Sequence, residues 1–377
     1  MLNMSNEVLQ LPFLSEDSPY GGIISMLMYL SFILFIFFGQ KIQLRIMLYE
    51  IDGVVRKLDF MRREAKTLAI KTIREVGKPK EDPEPLINTL LEQFVISPVN
   101  MDPAGIVGKL EHIMDVREEK FKDDVKLIAP EAEKAQLNNL ENLVEASWAL
   151  NTIYRIIRHF YLLGKKTSSF YVILQLQMIL PLIMQEAEAM VDAAKAFVEG
   201  QPIGDGIGPY VISKLIAGKR KRKMEKDMVA AEIKIEGRKA ILLKAEGPGG
   251  NVGKPGEAIK RIIKKHRNSV SMVVMIDAAL RFEGEKSGGV SEGFGAAIGG
   301  IGTERYKIEE EVKNYKIPLY AIIVKESIQE AITPMRKEIA EAIPEVLKRI
   351  NALIKRRSKK GDMIIIAGIG NTIGIGQ

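Results

Sequence analysis

The stretch that decides the fold is Met363-Ile-Ile-Ile-Ala-Gly-Ile-Gly-Asn-Thr-Ile-Gly-Ile-Gly-Gln377. Met363–Ala367 is a short unbroken apolar run rich in β-branched residues, the pattern of a strand covered on both faces. The glycine turn after it, Gly368-Ile-Gly-Asn371, is of the kind that ends a parallel strand and feeds a helix whose N-terminus meets a ligand. The helix that fits this turn opens the same region of the chain: Pro202-Ile-Gly-Asp205-Gly-Ile-Gly-Pro209, followed by a helical pattern over Tyr210–Ala217. Joined in that order, the pieces read strand, GIGN turn, GDGIGP turn, helix. The expectation is geometric: Asn371 lies beside Asp205, and residues 201–377 close like a ring cut at an unusual place.

Outward from this pair, short β-rich runs alternate with amphipathic helices. The runs are Ala231–Ile235, Ala240–Ala245, Val270–Ile276, Leu319–Val324 and Met363–Ala367, and the helices are Gly256–His266, Tyr306–Tyr315 and Ser327–Arg356. That alternation predicts an α/β domain with a mostly parallel sheet, of phosphorylase- or hydrolase-like type, with its ligand beyond the carboxyl ends of the strands.

Those strand ends carry the unusual residues. Ala240–Ala245 runs into Glu246-Gly-Pro-Gly-Gly-Asn-Val-Gly-Lys-Pro-Gly256 before a helix. The loop is similar to a phosphate loop, although Pro255 stands where a magnesium-holding hydroxyl belongs. One reading makes Gly249, Gly250, Asn251, Gly253 and Lys254 an anion or nucleotide site at the helix N-terminus. The other makes them a glycine turn. Val270–Ile276 ends in Asp277-Ala278, an acid at a strand tip that serves either chemistry or capping. Glu292 lies in the glycine-rich loop up to Thr303. With Glu246 and Asn371, these acids make a candidate metal or ligand set: Asp205, Asp277, Glu246, Glu292 and Asn371.

Before residue 201 the chain reads as helix. No charged residue lies between Asp17 and Lys41, and Ile23–Phe38 is almost wholly apolar. The length matches the roughly 17–25 residues that cross a bilayer. The N-terminal flank has acids only, whereas Lys41, Arg45, Arg56, Lys57, Arg62, Arg63 and Lys66 follow. Positive residues stay inside. The expected organisation is an extracytoplasmic tail (1–20), a transmembrane helix (21–40), a cytosolic α-helical domain (41–200) and a cytosolic α/β domain (201–377). Asp102-Pro103 is expected to start a helix. Phe170–Met184 is a second apolar run, broken by Gln175, Gln177 and Pro181, and is expected to be a buried helix.

Composition narrows the chemistry. The 377 residues are 46% hydrophobic and 27% charged, with a net charge of +7. There is no cysteine, which excludes disulfides, thiolate metal sites and cysteine nucleophiles. Three histidines, His112, His159 and His266, leave no room for a histidine-rich metal site. Lys219-Arg220-Lys221-Arg222-Lys223 is a run of cations that reads as a solvated linker, as a contact with anionic lipid, or as a contact with RNA.

Residues 203–377 resemble a circularly permuted hydrogenase-maturation endopeptidase. The carrying motifs are Gly368–Asn371, Asp205–Pro209, Glu246-Gly-Pro-Gly-Gly, Asp277-Ala278 and Thr333-Pro334 before its helix. The resemblance implies a divalent metal held by two acids, which match Asp205 and Asp277, and a histidine that has no match; Glu292 and Glu304 are the residues that could stand in for it. The whole chain resembles an uncharacterised archaeal family of membrane-anchored proteins, domain of unknown function 1512. Three functions stay open: a membrane-tethered metal- or anion-binding hydrolase, a scaffold recruiting RNA, a ribosome or a protein, and a nucleotide binder. Self-association into a homo-oligomer is an expectation of the helical region.

Overall fold

The structure is a computed structural model that describes residues 21–99, 101, 105–224, 227–266, 269–300 and 302–376. The expected tail at 1–20 and the helix start at Asp102-Pro103 lie outside these residues. The chain forms two compact units, Met1–Lys57 with Arg155–Pro181, and Leu58–Tyr154 with Leu182–Gln377.

Among the described residues, five helices make up the first half: α1 (Gly21–Thr72), α2 (Glu84–Glu92), α3 (Ile106–Ile128), α4 (Lys134–Thr167) and α5 (Phe170–Glu199). A π-turn at Ile73–Gly77 and a left-handed Lys78 before Pro79 end α1, where the Gly-Lys-Pro sequence predicts a stop. In the larger unit, Ile73, Ile87, Leu90, Phe121, Val125, Leu143 and Phe197 form an apolar helical core, which Ile373 of the C-terminal turn also enters.

In the smaller unit, α1, α4 and α5 bury Ile51, Ile157, Ile173 and Leu176. Phe170–Met184 is not the wholly buried segment that its polar breaks suggest. Its period of 3.6 puts Ile173, Leu176 and Leu180 inward and leaves Tyr171, Met178 and Ile179 exposed. Among the described residues, Phe170–Glu199 is the single helix long and apolar enough by itself to cross a membrane, rather than the N-terminal one. Gly22–Leu34 is short of that length alone and passes only together with Phe38–Gly77.

The second half begins with a 3₁₀ turn at Gly204–Gly206 and α6 (Ile207–Ile216). Seven strands follow: β1 (Lys221–Lys223), β2 (Met228–Ile235), β3 (Arg238–Ala245), β4 (Val270–Leu280), β5 (Val290–Phe294), β6 (Leu319–Glu326) and β7 (Met363–Gly368). They form one sheet in the order β1-β2-β3-β7-β4-β6-β5. The last strand is therefore central, parallel to β3 and β4. α6 and α11 (Ile343–Arg357) cover one face over Val211, Ile276, Val346 and Ile366, and α7 (Pro255–His266) and α8 (Thr303–Asn314) cover the other over Ile259, Met275, Ile308 and Ile365.

The sheet is mixed rather than mostly parallel. Its four central strands are parallel, but β1, β2 and β5 run antiparallel at the edges. The cause is local. Glu236-Gly237, both at positive φ, forms a two-residue hairpin between β2 and β3. The cationic run is not a linker either, because Lys221–Lys223 is an edge strand, a place where lysines discourage further pairing. Ser327–Arg356 is likewise three helices, α9 (Ile328–Ile332), α10 (Lys337–Ala340) and α11, separated around Pro334 and before Pro344.

Candidate functional site

The two glycine turns lock together at the carboxyl end of the sheet. Asn371 donates its backbone N–H to Asp205 Oδ2 at 2.7 Å. Gly370 has φ +124°, and a Cβ there would overlap the carbonyl of Asp205. Gly208 comes equally close to the carbonyls of Ile276 and Ile369. Only glycine permits such backbone approach. The Asn371 side chain donates to Asn142 Oδ1 of α4 at 3.2 Å, and Thr372 Oγ1 donates to the Gly249 carbonyl at 2.7 Å. The end of the chain is thus fastened to the domain's first turn, to the 246–251 loop and to the helical core.

Three acids meet here. Asp205 lies half-buried in the 3₁₀ turn, and desolvation pushes its carboxyl up, against the Asn371 N–H that favours the charged form. Asp277 sits inside β4, which runs on to Leu280, and accepts the Ala278 N–H at 2.8 Å. Burial first, and the charge of Asp205 second, push it up to about 8. Glu326, the last residue of β6, is 1% exposed, and neither carboxyl oxygen has a hydrogen-bond partner among the described residues. Burial, then Asp205, Glu330 and Asp277, push it up to about 9. Burial and the neighbouring like charges both favour the protonated forms, and the three groups titrate as a coupled set. Alternation along the strands puts Asp277 on the Met275 face and Glu326 on the Val324 face, with Asp205 in the turn at the sheet's end.

Asp205 and Asp277 open into a cavity of about 520 Å³. Gly299, Gly300 and Gly302 form one wall, and α3 and α4 supply another. Five more carboxylates line it: Glu111, Asp115, Glu118, Glu145 and Glu304. Its two cations are already engaged, Arg117 with Glu145 at 3.2 Å and Lys254 with Asp115 at 2.5 Å. Glu111 and Glu304 pair with Lys307, and Glu118 with Lys122 and Lys254, so Asp205 and Asp277 are the lining carboxyls without a cationic partner among the described residues, and they are the groups that would favour a positively charged occupant.

The anion loop is answered from within. Glu304 Oε2 accepts the Gly256 N–H at 2.7 Å, so a carboxylate of the protein caps α7 where a phosphate would sit. Gly250 gives its N–H to Asn139 and its carbonyl to Asn142, and Gly249 packs against Ala135. Gly249 and Gly250 are thus held against α4, and the Gly256 N–H of α7 is taken by Glu304 rather than left open to an anion. Glu246 leaves the candidate set too. Its carboxylate bridges Lys134 at 2.5 Å and Lys223 at 2.9 Å, and the Lys134 hydrogen bond holds it below the usual range. Glu292 lies on edge strand β5 and pairs with Arg356.

A divalent metal fits this donor set poorly. The two acids expected from the resemblance do come together, but no group of three Asp, Glu, His or Cys residues able to hold a metal exists among the described residues. Neither expected substitute completes a triad: Glu292 is elsewhere, and Glu304 is bound to the α7 N-terminus and to Lys307 at 3.0 Å. Glu326 escaped the sequence reading because its strand was expected to end at Val324. The rule that picked out Asp277, an acid at the tip of a buried strand, applies to it as well.

Two family models match the chain. The one described as "Protein of unknown function (DUF1512) N-terminal domain" matches residues 25–200, and "Domain of unknown function (DUF1512) C-terminal" matches residues 203–376. No curated protein matches the chain.

Proposed function

The chain belongs to the DUF1512 family, and from the chemistry of its site we propose that it is a membrane-tethered, hydrolase-like α/β protein that binds an amine-bearing cationic ligand, with Asp205 and Asp277 as its acid–base pair. The observation that carries this reading is the cavity itself: of its seven carboxylates, Asp205 and Asp277 have no cationic partner among the described residues, while the other five pair with Arg117, Lys122, Lys254 or Lys307. A protonated carboxyl beside an ionised one is the arrangement by which acid and base roles divide between two like groups. The protonated partner donates to a leaving group while the ionised one takes a proton from water. A bound ammonium would favour the ionised form and complete the charge balance. The fold already does this once nearby, where Lys307 sits among Glu111, Glu257 and Glu304.

The tether is the Ile23–Phe38 run, with the N-terminus outside and residues 41–377 in the cytosol. The charge asymmetry on its two flanks supports that orientation. The central position of β7 and the Asn371–Asp205 bond support the circular permutation. The scaffold alternative draws less support, since Arg222 and Lys223 of the cationic run are paired with Glu232 and Glu246.

The test is thermal unfolding of the detergent-solubilised full chain with 1,5-diaminopentane, manganese, phosphate or ATP. A ligand of the folded state raises the melting temperature. The diamine is expected to stabilise the wild type and to lose its effect in Asp205→Asn and Asp277→Asn. Stabilisation by phosphate or ATP alone, or an undiminished diamine response in both variants, would refute the reading.

A further inference from the structure

The smaller unit has a composition that the proposed function does not use. Its Arg155–Pro181 part has no Asp or Glu and carries Arg155, Arg158, Lys165 and Lys166. This segment is the end of α4, the turn at 167–169 and the first half of α5. The turn is tight. Ser168 has φ +50°, Ser169 donates its N–H to the Gly164 carbonyl, and a Cβ on Gly164 would overlap the Ile173 side chain. The two helices therefore form a close hairpin with Ile157, Tyr161, Ile173 and Leu176 inside.

The outer surface of the hairpin is apolar and uncovered. Ile156, Phe160 and Leu163 on α4, and Tyr171, Met178 and Ile179 on α5, are all exposed, Met178 at 73%. α1 continues the surface in the same unit with exposed Ile42, Ile46 and Tyr49. The described part of this unit contains two acids, and both are engaged. Asp52 accepts the Tyr161 hydroxyl at 2.9 Å and pairs with Arg56, and Glu50 accepts from Gln177 at 2.7 Å. The surface thus presents apolar side chains and cations, with its anions tied down.

We propose that the α4–α5 hairpin is a re-entrant membrane element, dipping its apolar face into an anionic lipid leaflet while its four cations stay among the head groups. Although α5 as a whole is long and apolar enough to cross, the length of its charge-free part argues against a full crossing. The apolar run Phe170–Met184 is 15 residues, about 22 Å of helix at 1.5 Å per residue, against a hydrocarbon core of about 30 Å. The rest of α5 cannot extend it. It carries Glu186, Glu188 and Asp192, and it buries Ala193, Ala194 and Phe197 in the helical core. Charge argues for lipid as the occupant. Basic amphipathic helices with aromatic and aliphatic faces lie in the interface, and each cation near an anionic surface adds about 1 kcal/mol. Long lysine and arginine stems let the heads remain in water above a buried face. The inference rests on the membrane tether proposed above.

The absence of cysteine makes the test direct, because one introduced thiol is a unique probe. The full chain would be reconstituted in vesicles of phosphatidylcholine with phosphatidylglycerol as Met178→Cys, Leu30→Cys or Lys234→Cys, each labelled with a fluorophore. Nitroxide on the lipid acyl chains is expected to quench position 178 severalfold more than position 234, with iodide showing the reverse order. Removing phosphatidylglycerol is expected to reduce the quenching at 178 and leave that at 30. If iodide reaches 178 as freely as 234 while lipid nitroxide quenches 30, the hairpin proposal fails and the tether stands. If lipid nitroxide reaches neither 30 nor 178, both fail. Protection of 178 from both quenchers, with disulfide-linked dimers of the unlabelled variant, would assign the face to a second copy and overturn the proposal.

Discussion

Two turns at the same end of the sheet, each rich in glycine and each followed in space by a helix, have opposite chemistry. The 246–256 turn has its charged groups and its helix end answered internally: Glu304 caps α7, Lys254 meets Asp115, and Asn139 and Asn142 hold Gly250, while Asn251 Oδ1 stays buried without a partner. The 368–371 turn, locked onto the 204–206 turn, gathers Asp205, Asp277 and Glu326 and gives their six carboxyl oxygens two backbone N–H donors. The first resembles a ligand site in sequence and is a structural joint. The second is short of partners, and buried groups short of partners are where a protein stores binding or catalytic potential at a cost in stability.

That contrast can be broken from either side. The largest effect is expected at Lys307, which is 6% exposed and surrounded by Glu111, Glu257 and Glu304. Lys307→Met leaves partly buried carboxylates unpaired, and urea denaturation should show a loss of about 3–5 kcal/mol. Next is Gly370→Ala, which forces a Cβ against the Asp205 carbonyl at φ +124° and should cost at least about 2 kcal/mol by the same measurement. Its diamine response should fall as well, because the Asn371–Asp205 contact moves.

Glu326→Gln should act in the other direction. The folded carboxyl keeps its proton up to about pH 9, whereas the unfolded one releases it near its ordinary value of 4.5. Between those values the folded state binds more protons, so wild-type stability falls as pH rises. The amide does not titrate. The variant should match the wild type near pH 4 and gain on it through neutral pH, by at most about 1.4 kcal/mol per pH unit and so at most about 3 kcal/mol at pH 7. Denaturation midpoints from pH 4 to 9 would check this, and a constant difference across the range would contradict it. The smallest effect is expected for Glu246→Gln, whose partners Lys134 and Lys223 are largely exposed. The stability change should be under about 1 kcal/mol, with the diamine response intact.

Much of the α/β core was legible because it obeys local rules. An unbroken MIIIA run is a buried strand wherever it lies, and GIGN beside GDGIGP is a steric fit that needs glycine on both sides. The edges were less legible. β5 hides in a glycine-rich loop, and β1 is spelled Lys-Arg-Lys, a sequence that becomes a strand only because β2 offers it an edge. In the site, Asp277 announced itself at the end of an apolar run and Asp205 in a glycine turn that fits the GIGN turn. The roles of Glu304 and Lys254 did not, because what disqualifies the 246–256 loop as an anion site comes from α3 and α8, far away in sequence. The exposed face of Phe170–Met184 was obscured for a related reason: apolar composition sets burial from water and does not say whether protein or lipid provides it.

In the proposed function the cavity takes a cation in exchange for protons on Asp205 and Asp277. Titration calorimetry of 1,5-diaminopentane into the solubilised full chain at pH 7, repeated in buffers of different ionisation enthalpy, counts the protons released on binding. The account predicts binding with net proton release, abolished in Asp277→Asn. Binding with no proton release, or no binding by a chain that is folded and accepts phosphate instead, would contradict it.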